Sequence, residues 1–103
     1  MIQVVLEVSP HALNLSVLGH ADYASQGQDL LCASVSSMAQ MLEIGMHLLP
    51  QKPQIKKSSG EFFLKAPNDS YTGILVLSFF ESCKQLEKQY SRYIQTKKTQ
   101  IGE

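Results

Sequence analysis

The segment Gly19-His20-Ala21-Asp22-Tyr23-Ala24-Ser25-Gln26-Gly27-Gln28-Asp29-Leu30-Leu31-Cys32-Ala33-Ser34-Val35-Ser36-Ser37-Met38 joins two hydrophobic periods. Before it, Leu13, Leu15 and Val17 alternate with polar residues, the period of a half-buried strand. After it, Leu31, Val35, Met38, Leu42 and Leu49 recur at the spacing of one helical face. The segment therefore carries the chain from strand to helix, with His20 where the strand ends and Cys32 where the helix begins. Ala21 to Gln28 is small, polar and glycine-bearing, so it reads as a loop, and Asp29 fits a helix N-cap. A thiol at a helix N-terminus feels the positive end of the macrodipole, which favours the nucleophilic thiolate. A histidine within reach can take the proton and return it to a leaving group. In a small domain such a pair is more often a packed thiol and a surface imidazole, so spacing alone leaves both readings open.

Working outward, Ile2, Val4, Leu6 and Val8 alternate as a first strand. Ser9-Pro10-His11-Ala12 supplies the turn, because Pro10 cannot donate to the ladder, and the pair reads as a hairpin. His11 is then a surface turn residue. Strict alternation puts His20 with Asn14, Ser16 and Leu18, opposite the apolar set, unless Gly19 bends the chain there. On the helix after Asp29, Leu30, Met41, Ile44 and Leu48 form a second apolar face, so burial on two sides is expected. Met38, Met41 and Met46 read as core and interface filler. His47 suits the negative helix end, and Pro50 and Pro53 stop the helix.

Gln54–Lys57 and Glu61–Lys65 flank Ser58-Ser59-Gly60, a hairpin signal, and Lys56-Lys57 reads as a solvated edge. Pro67-Asn68-Asp69-Ser70 opens a last helix with apolar positions from Tyr71 through Leu86 to Tyr90, Tyr93 and Ile94. Residues 97–103 read as a frayed tail. Together these elements predict one domain over residues 1–103, of α+β class in ββαββα order, with a small, largely antiparallel sheet packed against two helices.

Apolar residues make up 44% and charged ones 17% of the 103 residues, ordinary globular values. Nine basic and nine acidic side chains cancel, so there is no broad basic field and direct nucleic-acid binding is disfavoured. The apolar runs are too short to span a bilayer, and Glu7 interrupts the place of a signal peptide's apolar stretch. A soluble, cytoplasmic protein with no membrane partner is expected. Cys32 and Cys83 fall in different helices and form no metal-ligand pattern. Both are therefore expected reduced and unpaired, with no metal or cofactor.

Gly19-His20-Ala21, nearby Tyr23, Gly27-x-Asp29, Cys32-Ala33, and Val35-Ser36 together resemble the signature of the ribosomal-processing cysteine proteases, the Prp family. The twelve-residue step from His20 to Cys32 also agrees, and the resemblance extends weakly along the chain. Ser34 departs from it, standing where small Ala or Gly is common, as does the run Ser36-Ser37-Met38, more polar than usual past the helix start. The resemblance implies a cytosolic bacterial homodimer that removes the N-terminal extension of a large-subunit ribosomal protein. It implies Cys32 as nucleophile and His20 as general acid–base, and it tips Ser36 slightly toward a supporting role. Asp29 is weighed as a cap against orienting His20. The rival from another class is a non-enzymatic module that binds a ribosomal protein or assembly factor through the same groove.

Overall fold

A computed structural model of the chain describes residues 1–19 and 26–102, with the backbone alone for 26–29. The expected elements form: β1 (Ile2–Val8), β2 (Ala12–Leu18), α1 (Gln26–His47), β3 (Gln54–Ser58), β4 (Glu61–Pro67) and α2 (Ser70–Gln89). Strand β5 (Ile94–Gln100) follows them. The sheet order is β3-β4-β2-β1-β5, with β5 parallel to β1 and the remaining neighbours antiparallel. The class is α+β, as the periodicity predicts.

Alternation decides which face each strand buries. Ile2, Val4 and Leu6 of β1, Leu13, Leu15 and Val17 of β2, and Phe62, Leu64 and Ala66 of β4 are buried. They meet Leu31, Val35, Leu42 and Met46 of α1 and Val76, Phe79, Phe80 and Cys83 of α2 in a single core. Both helices therefore cover one side of the sheet. Pro10 and His11 turn the first hairpin, with His11 exposed, and Ser9 Oγ accepts from the Ala12 N–H at 3.0 Å. The second hairpin turns at Ser59-Gly60, where Gly60 has φ +74°, a backbone region that glycine enters without steric cost. Asp69 caps α2 reciprocally. Its carboxylate accepts from the Tyr71 and Thr72 N–H groups, while Thr72 Oγ1 accepts from the Asp69 N–H at 3.0 Å.

Three expectations need correction. The stretch read as a frayed tail from residue 97, and Ile94 before it read as helix, instead make β5, in register from Ile2↔Ile94 to Val8↔Gln100. The N–H and C=O groups along β1's outer edge need partners, and this polar, β-branched run supplies them. Next, α1 begins at Gln26, so Asp29 is its fourth residue and not its N-cap. Only Gly27 among Gln26, Gly27 and Gln28 is a poor helix former, which leaves the helix free to start early. Finally, the second apolar face of α1 is not buried within the chain. Met41 is 70%, Ile44 56% and Leu48 81% exposed. Ile74 of α2 is likewise 65% exposed.

Candidate active site

Cys32 lies at the margin of the core, half-buried and outside any disulfide. Val35, one turn on, turns inward and anchors the helix, while Ser36 faces outward. Between this stretch of α1 and the β3–β4 hairpin runs a groove of about 350 Å³. Cys32, Ser36, Gln40 and Glu43 form one wall, spaced four, four and three residues apart along a single helical stripe. Lys57, Glu61 and Phe62 come from the hairpin opposite, and Gly19 closes the end beside Ile2. At the far end Lys57 Nζ meets Glu43 Oε1 at 3.0 Å, tying strand to helix. Val17, Val35 and Phe62 give the groove an apolar lining, and Glu43, Lys57 and Glu61 add charge to it.

Gly19 is fitted to its place by two constraints. Its φ is +97°, and a Cβ there would fall 2.1 Å from the Met1 carbonyl oxygen. The chain therefore does bend at the end of β2, as the face problem for His20 requires. His20 itself lies outside the described residues, as do residues 21–25, which the sequence reading gives as loop. The side chain of Asp29 lies outside them too, and Gly27 is described only as a helical backbone position.

Cys32 is the seventh residue of α1, about 9 Å along the axis from its first. The open N–H groups of the helix belong to its first four residues. The dipole expected at Cys32 from a helix starting at Asp29 is therefore not at the thiol, since a macrodipole fades within a turn, and neither are the helix's open N–H groups. Cys83, the other thiol, is fully buried, and burial pushes its pKa from 9.0 up to about 12. It is core, as its apolar neighbours in sequence imply. Among the described residues no three His, Cys, Asp or Glu side chains converge as a metal-ligand set. No helix among them is long and apolar enough to cross a membrane.

The sequence reading missed the opposing wall. Gln40 was legible as the next position on the stripe from Cys32 and Ser36. Lys57, Glu61 and Phe62 are brought there only by folding.

Residues 1–95 match the family described as cysteine protease Prp. The chain belongs to that family. As a Prp family member it is a cysteine protease, which decides between the two classes left open by the residues. A search of curated proteins finds no match. Among solved structures, the chain resembles the essential ribosomal processing protease Prp of Staphylococcus aureus bound to a covalently linked product peptide. The TM-score is 0.84 at 22% identity, over 96% of this chain and 100% of that one. The same protease with a substrate peptide gives 0.78 at 19% identity, over 96% and 100%. The Streptococcus mutans protein SMU.848 gives 0.77 at 20%, over 98% and 96%. At these identities the likeness speaks for the fold.

Proposed function

We propose that this Prp family member is a cytoplasmic endopeptidase that removes the N-terminal extension of a bacterial large-subunit ribosomal protein during ribosome biogenesis. The observation that carries the proposal is the position of Cys32: half-buried, on the wall of a groove of about 350 Å³ with both apolar and charged lining. In the mechanism, the Cys32 sulfur attacks the scissile carbonyl while His20, next in the chain after groove-lining Gly19, takes the thiol proton. His20 then returns that proton to the departing amine. Water, deprotonated by the same imidazole, attacks the thioester, releasing the acid and restoring the thiol. Ser36, on the Cys32 stripe, supports the thiol or the peptide beside it. Gly19 sets the turn into His20, and Asp29 orients that imidazole.

The partner side of the proposal is a homodimer. The exposed Met41, Ile44 and Leu48 on α1 and Ile74 on α2 support it, because an apolar face of this kind is costly to leave in water.

The test is processing of an extended ribosomal protein by the purified chain. Cys32→Ala abolishes cleavage with the fold intact by circular dichroism, whereas Cys83→Ala keeps most of it. His20→Ala slows single-turnover cleavage about a hundredfold and leaves substrate binding nearly unchanged. Cleavage at the wild-type rate by Cys32→Ala would end the proposal. Lost binding with unchanged single-turnover cleavage in His20→Ala would move that residue from chemistry to recognition.

A further inference from the structure

The chain's zero net charge does not show how its lysines are placed, which the strand register does. Both helices cover one side of the sheet, and the opposite side carries no helix among the described residues. On that open side the register aligns Lys56 of β3, Phe63 of β4, Ser16 of β2, Val5 of β1 and Lys97 of β5 in one row across all five strands. Lys97 belongs there because its neighbour Thr96 faces the helices, where its hydroxyl meets Glu87 of α2. Lys65 stands on the same side, two residues from Phe63, and a groove of about 550 Å³ lies over the Lys56, Phe63, Ser16 and Val5 part of this row, with Lys97 beyond its end.

Three properties of the row point to one kind of ligand. First, none of Lys56, Lys65 and Lys97 makes an ion pair among the described residues, whereas Lys57, one residue from Lys56 but facing α1, is paired with Glu43. The open face therefore holds three cations outside any ion pair among the described residues, against Glu7 and, at the margin, Glu61, which is hydrogen-bonded to Ser58. Second, Phe63 is 36% exposed at the level of the row, an apolar ring flanked by the two lysines of neighbouring positions. Third, a sheet's face, unlike its edge, offers an extended peptide no main-chain hydrogen bonds, so an acidic peptide would gain charge contacts alone. A single-stranded nucleic acid gains from both features, stacking a base on the ring and setting phosphates on the lysines. The row crosses four interstrand steps, about 19 Å, enough for roughly four nucleotides.

We infer that the open face of the sheet, centred on Phe63, is a binding platform for single-stranded nucleic acid, separate from the Cys32 groove on the helical side. Its affinity is modest and salt-sensitive, since only three phosphates are neutralised.

The test is fluorescence anisotropy of the full chain with labelled ten-nucleotide oligo-U and oligo-dT. At about 50 mM salt, binding is saturable in the micromolar range. It falls with a log–log salt slope of about −2, the value for three phosphates on a single strand. The triple variant Lys56→Gln, Lys65→Gln, Lys97→Gln loses at least about tenfold in affinity and most of the slope. Phe63→Ala loses about tenfold but keeps the slope, because it removes stacking and no charge. Lys57→Gln, on the helical side, changes neither. A preference for oligo-U over oligo-dT identifies RNA as the source, and equal binding identifies any single strand. The inference is overturned if neither oligonucleotide binds at about 100 μM protein, or if the triple and Phe63 variants, folded by circular dichroism, bind as the wild type does. An oligoglutamate peptide of equal length competing as well as oligo-U also overturns it, in favour of an acidic protein partner.

Discussion

Cys32 is half-buried at a groove and Cys83 is fully buried in the core, so the two thiols report on different surroundings in one molecule. Limited alkylation of the native protein at neutral pH labels Cys32 well before Cys83, as peptide mapping would read. Labelling of Cys83 first would contradict the buried core drawn around Phe79 and Phe80. The same burial makes Cys83 a liability in alkali. Its thiol ionises at about 12 in the folded chain, against 9.0 when exposed, so the unfolded chain loses this proton first. Stability therefore falls as pH rises between those values, by about 1.4 kcal/mol per pH unit. Replacing the residue removes that contribution. Chemical denaturation of wild type and Cys83→Ala above pH 9 should show curves that converge, with the wild type losing stability faster.

At the scale of elements, the start of α2 is the best-defined boundary in the chain. Asp69 accepts two N–H groups of the first turn, at 2.8 and 3.0 Å. Thr72 reciprocates and also donates to the Pro67 carbonyl at 2.6 Å. Asp69→Ala is expected to cost about 1 kcal/mol and lower the melting temperature by roughly 4–8 °C, with Asp69→Ser recovering most of it. Calorimetry would measure both. That boundary was legible because Pro67, Asn68, Asp69 and Ser70 act locally, as were both hairpins, whose alternation and turn residues sit within a few positions of each other. The start of α1 was not. Asp29 is a good cap by composition, but three residues before it are also helical, and a cap signal cannot say which of several positions the chain will use. Strand β5 was hidden for the opposite reason. Only Ile94 of it is buried, and what makes it a strand is β1, far away in the sequence. The thiol of the candidate site could be read from its helical stripe, whereas the wall that faces it depends on a tertiary contact.

Over the whole molecule, the outward apolar face is formed jointly by the two helices. Gly45 marks how closely they approach, since a Cβ there would lie 3.2 Å from Leu75 Cδ1. If two copies bury this face, Ile44→Glu combined with Ile74→Glu yields a monomer by analytical ultracentrifugation while the circular dichroism spectrum is retained. A double variant that sediments like the wild type would place the dimer contact elsewhere or remove it. The parallel pairing of β1 with β5 bears on something else, the order in which the molecule is made. Ile2 finds Ile94 only after all of the intervening chain has been synthesised. Until then the outer edge of the first strand is an open template for other chains. That strand's last ladder is also among the most non-local in the fold, and so among the slowest to close. Among the described residues, the last in chain order to line the Cys32 groove is Phe62. A nascent chain thus carries every described residue of the Cys32 groove well before the strand that seals its sheet, and β5 sets when the molecule becomes safe to release.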